Sequence, residues 1–120
     1  MTKLLEMKWL GPPQIELDGE KVSGFVTNKA VALLCYLALN KGPHQRQALG
    51  SMFWPDSDNS RRNLRTILSN VRQLVGGHLL ITNGSVAFDI ESNYWLDVEV
   101  LQAQIKQPRP EEVSQAIALL

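Results

Sequence analysis

A single cysteine, Cys35, stands within AVALLCYLAL, so no internal disulfide is available and the residue reads as a small buried apolar side chain. No apolar stretch approaches the roughly 18 residues that a membrane-spanning helix needs. The opening MTKLLEMKWL carries Glu6 inside its apolar stretch and lacks a small-residue cleavage site, so it does not read as a secretory signal. A reducing cytoplasm fits these absences. There is no phosphate loop, no GxGxxG and no nucleophile elbow, because the glycines stand at turns. His44 and His78 are far apart and have no cysteine or carboxylate at ligand spacing. Asp97 and Glu99, two apart on an expected helix, point in different directions and read as a polar face. Trp9, Trp54 and Trp95 fall in three separate elements and read as packing residues, not as a base-stacking platform. The chain is therefore not read as an enzyme: no catalytic residue, metal or cofactor is expected.

Net charge is zero over the 120 residues, but the charges are segregated. Residues 1–88 hold ten Lys and Arg against six acids, whereas residues 89–120 hold two against six. From Asn59 to Phe88 there are four arginines and no acid. Because screening confines strong interaction to nearby charges, such a local basic face can bind phosphates on a neutral chain.

In chain order, residues 3–26 read as strands. LLEMKWL is interrupted by Gly11-Pro12-Pro13, and QIEL turns at Asp18-Gly19 into EKVSGFV, forming a small antiparallel sheet. Thr27 is placed to cap a helix reaching about Asn40, apolar almost all round and therefore central, with Gly42-Pro43 beyond its end. A second helix, about Gln45 to Phe53, buries Leu49, Met52 and Phe53, and Trp54-Pro55 stops it. A third runs from Ser57 or Asp58 to Val75, closed by Gly76-Gly77. HLLIT and SVAFDI flank Asn83-Gly84, a strong hairpin signal. YWLDVEVLQAQIK and PEEVSQAIALL read as two further helices separated by Gln107–Pro110. Helices joined by a turn and followed by a hairpin form the layout of a winged helix-turn-helix.

The third helix is the most informative segment. Leu64, Ile67, Leu68, Val71, Leu74 and Val75 recur at i, +3, +4, +7, +10 and +11, a stripe that docks on a core. The opposite face presents Arg62, Arg65, Thr66, Ser69, Asn70 and Gln73, with Arg61 and Arg72 at its flanks, and no carboxylate. A solvated helix usually mixes signs, because ion pairs one turn apart help it slightly. Arginine can donate two bonds to guanine, asparagine can pair with adenine, and a threonine methyl can touch thymine. Asp56 and Asp58 precede the helix, where its dipole is positive. A protein-interaction module that uses the same helix without DNA is the alternative reading.

At WPDSDNSRRNLRTILSNVRQLVG, with WLGPPQIELDGEKV, TNKAVALLCYLALNKG and YWLDVEVLQAQI, the chain resembles the SARP-type bacterial transcriptional activators. These pair an OmpR-type winged helix with a bacterial transcriptional activator domain. The resemblance implies an α+β fold: an N-terminal antiparallel sheet, three helices and a C-terminal hairpin wing over residues 1–92. The start of an all-α, tetratricopeptide-like domain would follow over 93–120, cut short by the chain end. It also implies a regulator that binds promoter repeats in double-stranded DNA as a homodimer and recruits RNA polymerase. Carried onto this sequence, Arg62, Arg65, Thr66, Ser69 and Asn70 read bases. Arg46, Arg61, Arg72, Gln73 and Asn83 hold phosphates, and Asp56, Ser57 and Asp58 meet the polymerase. Two features depart from the family: the hairpin ITNGSVAF has no Lys or Arg, and His44-Gln45 stands where a serine usually caps the second helix.

Overall fold

The structure is a computed structural model that describes residues 3–106. Two compact units emerge, one spanning Val22–Ser92 and the other combining Lys3–Lys21 with the segment from Asn93 onward. The N-terminal strands thus group with residues after 92, and not with the helices that follow them in sequence. The helix expected over 110–120 lies outside the described residues, as does any start of a repeat domain there.

In the unit that holds both ends, β1 (Leu5–Lys8) alternates as a half-buried strand should, with Leu5 and Met7 fully buried. It pairs antiparallel with β2 (Gln14–Leu17), placing Met7 opposite Ile15. Asp18-Gly19 links β2 to β3 (Glu20–Lys21) with φ values of 50° and 83°. Two left-handed residues give a hairpin turn whose twist matches the strands, and Asp and Gly tolerate that backbone best. The Asp18 carboxylate also accepts the Leu4 N–H at 2.7 Å. Of the expected strand EKVSGFV, only Glu20 and Lys21 are strand.

The expected helix start at Tyr94 is instead a strand, β7 (Tyr94–Leu96). It runs parallel to β1, so the sheet is mixed, in the order β3-β2-β1-β7, where a purely antiparallel one is expected. Two aromatics and a leucine are good strand formers, and three residues are too few for a helical period to register against the open edge of β1. The last helix, α4 (Asp97–Lys106), follows at once. Asp97 does not lie on a polar face: it is 5% exposed, and its carboxylate accepts the N–H groups of Trp9 and Leu10, each at 3.1 Å. These are the donors left over where β1 stops, and a charged acceptor is the strongest partner for them. Glu99 accepts the Tyr94 hydroxyl at 2.8 Å.

In the other unit, α1 (Asn28–Leu39) buries Ala30, Leu33, Leu34, Leu37 and Ala38. Ala32 and Leu39 are exposed, so the helix is less enclosed than its composition suggests. Thr27 occupies the capping position without a side-chain bond, and Asn40 ends the helix by donating to the Tyr36 carbonyl. His44-Gln45 forms a short strand, β4, before α2 (Arg46–Phe53). Leu49 and Gly50 are buried there, whereas Met52, expected inside, is 48% exposed. The third helix, α3 (Ser60–Val75), begins later than Ser57 because residues 54–59 fold as a turn. A short 3-10 turn, Gly76–His78, leads into β5 (Leu79–Ile81) and β6 (Ser85–Phe88). The hairpin is where Asn83-Gly84 predicts it, and β4 joins its β6 edge to give the order β4-β6-β5.

Replacing Asp97 with alanine strands two backbone donors in a largely buried place, at a cost of about 1–3 kcal/mol. Urea unfolding of the Asp97→Ala chain should show a stability loss of that order, with α-helical circular dichroism retained before the transition.

Candidate nucleic-acid interface

The apolar stripe of α3 docks as its spacing requires. Leu64, Ile67, Leu68, Val71 and Val75 are all buried, and Leu74 is half-buried. Arg62, Arg65, Thr66, Ser69, Arg72 and Gln73 repeat the same spacing shifted by two residues. That shift is roughly 200° around a helix of 3.6 residues per turn, so these side chains point away from the core. All six are exposed, as is Arg61. At about 1.5 Å per residue, the 16-residue helix offers a face about 24 Å long. Among the described residues none of its four guanidinium groups is paired with a carboxylate.

Asn70 has a different role from its neighbours. Its carbonyl oxygen accepts the Val26 N–H at 3.0 Å, and its amide donates to the Gly24 carbonyl at 2.9 Å. A bidentate adenine contact would need this same donor and acceptor pair. The side chain instead clasps the loop before α1 onto α3, where Gly24 takes a φ of 98° and lies close to Leu74. In this structure the donor and acceptor expected to read a base are thus both engaged within the chain, and Asn70 acts as a tether.

Two other expected site residues, Ser57 and Arg46, also have internal contacts. Ser57 organises the turn before α3: its hydroxyl accepts the Asn59 N–H at 3.0 Å and the Asn63 amide at 3.5 Å. Asp56 and Asp58 in the same turn are exposed. Arg46 is half-buried, donating one guanidinium N–H to the Thr82 carbonyl at 3.1 Å while its backbone N–H bonds to the Gly84 carbonyl. It thereby fastens the start of α2 to the hairpin loop, and four of its five guanidinium donors lie outside that bond. Asn83 is exposed at the hairpin tip. Neither Asn83 nor Gly84 has positive φ. Thr82 shapes this turn instead, its hydroxyl accepting the N–H groups of Gly84 and Ser85.

Sequence reasoning overlooked Lys29. It lies in the first turn of α1, donates to the Phe53 carbonyl and sits 5.0 Å from the centre of the Trp54 ring. An open groove of about 470 Å³ lies between these residues and α3, lined by Thr27, Asn28, Lys29 and Trp54 on one side and by Arg62, Asn63, Thr66 and Ile67 on the other. The only hint in the sequence was a cation just inside a helix start, where the dipole disfavours it.

No family model matches the chain, and no curated protein matches it. Among solved structures, it is similar to Mycobacterium tuberculosis EmbR in complex with a low-affinity phosphopeptide, at 28% identity and a TM-score of 0.70. The match covers 85% of this chain and 29% of EmbR, so the chain spans less than a third of that protein. The shared fold is a small mixed α+β arrangement with, among the described residues, four α-helices and two sheets. It supports a SARP-like winged-helix fold.

The tether makes a prediction that separates it from a base contact. Asn70→Ala should lower the unfolding free energy by roughly 1–2 kcal/mol through its two lost bonds. In a thermal melt this reads as a drop of several degrees; an unchanged melt would return Asn70 to the ligand-binding face.

Proposed function

We propose that this chain is a sequence-specific DNA-binding regulator of transcription. The observation that carries this reading is the exposed, acid-free face of α3, with four unpaired-by-carboxylate arginines on a helix whose other side is anchored in the core. A helix with its side chains is about 10–12 Å across, which suits a major groove about 12 Å wide. In this reading Arg62, Arg65, Thr66 and Ser69 face base edges, and Arg46, Arg61, Arg72, Gln73 and Asn83 hold backbone phosphates. The fold shared with EmbR and the SARP-type resemblance both support a regulatory role. From that resemblance come the finer parts: activation at promoter repeats, a dimer on DNA, recruitment of RNA polymerase through Asp56 and Asp58, a cytoplasmic setting, and a helical domain after α4. No helix among the described residues is long and apolar enough to cross a membrane.

A duplex selected from a random library should bind with an affinity that falls linearly on a log–log salt plot. Three arginine–phosphate contacts alone would give a slope of roughly −3. Arg65→Ala should lose about 1–3 kcal/mol on the selected duplex and relax preference at one position, whereas Arg61→Ala should weaken all duplexes alike. Salt-insensitive behaviour, or no duplex bound at any salt, would leave the protein-interaction reading in its place.

A further inference from the structure

The groove beside α3 holds a cation that is positioned more firmly than an exposed lysine normally is. Lys29 stands on the surface, yet its ammonium is held from two directions, by the Phe53 carbonyl at the end of α2 and by the face of Trp54. One of its three N–H donors is engaged by Phe53, which leaves two to point elsewhere. Arg62 lines the same groove from α3, together with the polar residues Asn28, Asn63 and Thr66. None of the eight lining residues is acidic. Two cations of like sign share one open groove with no carboxylate to neutralise them, so the ligand that fits is an anion with several acceptor oxygens.

The location selects which anion. Arg62 and Thr66 belong both to the groove and to the exposed face of α3. A duplex seated on that face has a phosphate backbone on either side of its major groove, and one of these would run past the opening. Lysine acts on phosphate as a point charge, contributing attraction and register without reading sequence.

We propose that Lys29, facing Arg62, binds a DNA backbone phosphate and so anchors the duplex beside the N-terminal half of α3. The proposal rests on reading α3 as the DNA-contacting helix. It adds the first helix to a contact surface otherwise made of α2, α3 and the hairpin.

The test compares the 120-residue chain with its Lys29→Met and Lys29→Arg variants. Methionine keeps an apolar stem against Trp54, and thermal melts of both variants check that the fold persists. Fluorescence anisotropy is read against salt on the selected duplex and on a scrambled one. Removing one phosphate contact should lower the slope by about one unit in Lys29→Met on both duplexes, leave the ratio of their affinities unchanged, and restore the slope in Lys29→Arg. A wild-type slope in Lys29→Met overturns the proposal, as does a changed ratio between duplexes. So does loss of binding to an acidic peptide with the DNA slope intact, which assigns the groove to a protein partner. If the wild-type chain itself shows no salt-dependent DNA binding, the DNA reading fails first and takes this proposal with it.

Discussion

The burial of one stripe of α3 governs the unit that carries the candidate interface. Leu64, Ile67, Leu68, Val71 and Val75 are each no more than 6% exposed. At about 1.5–3 kcal/mol for each aliphatic side chain fully buried, the five supply on the order of 10 kcal/mol of gross driving force. That is comparable with the whole net stability of a typical domain, about 5–15 kcal/mol. Turning the helix by a single residue would bring Arg61, Arg65 or Arg72 toward the core in place of a leucine or valine. Desolvating an unpaired guanidinium costs far more than the helix could recover elsewhere. The rotational setting of α3 is therefore determined by its hydrophobic side, and the outward display of arginine is a consequence of it.

Polar contacts then set the ends of this arrangement. Asn70 holds the loop before α1, Ser57 shapes the entry to α3, and Arg46 ties α2 to the hairpin. At the hairpin's other end, buried His78 meets the Ser92 hydroxyl at 2.9 Å and stacks on Phe88. Each of these residue types is one that nucleic-acid contacts also use. Backbone donors and acceptors in loops must find partners, and a nearby amide or hydroxyl supplies them at less entropic cost than an external ligand does. On α3 the side chains that project into solvent without such an internal bond are Arg61, Arg62, Arg65, Thr66, Ser69, Arg72 and Gln73.

A neutral chain can still present a strongly basic face. The acids lie before Asn59 and after Phe88, and none interrupts the face of α3. With a screening length of about 8 Å at physiological ionic strength, a phosphate at that face responds chiefly to the arginines around it. The local potential at that face is consequently set by the placement of charge along one helix and not by the net charge.

The amino-acid sequence by itself determined the elements with long or distinctive patterns. The helical period of α3, the apolar run of α1, the Asp18-Gly19 turn and the position of the second hairpin were all legible, because each depends on local spacing or on one backbone preference. The opposed faces of α3 were legible for the same reason. Tertiary structure alone decided the rest. Tyr94–Leu96 is a strand because β1 offers it an edge, and Asp97 is buried because β1 ends with two unpaired donors beside it. His44-Gln45 is a strand because β6 lies alongside. Asn70 serves as a tether because residues 24–26 pass next to it, and Lys29 and Arg62 line one groove although 33 positions separate them in the chain. A partner distant in sequence leaves no periodic trace, so the identity of such contacts exists only once the chain has folded.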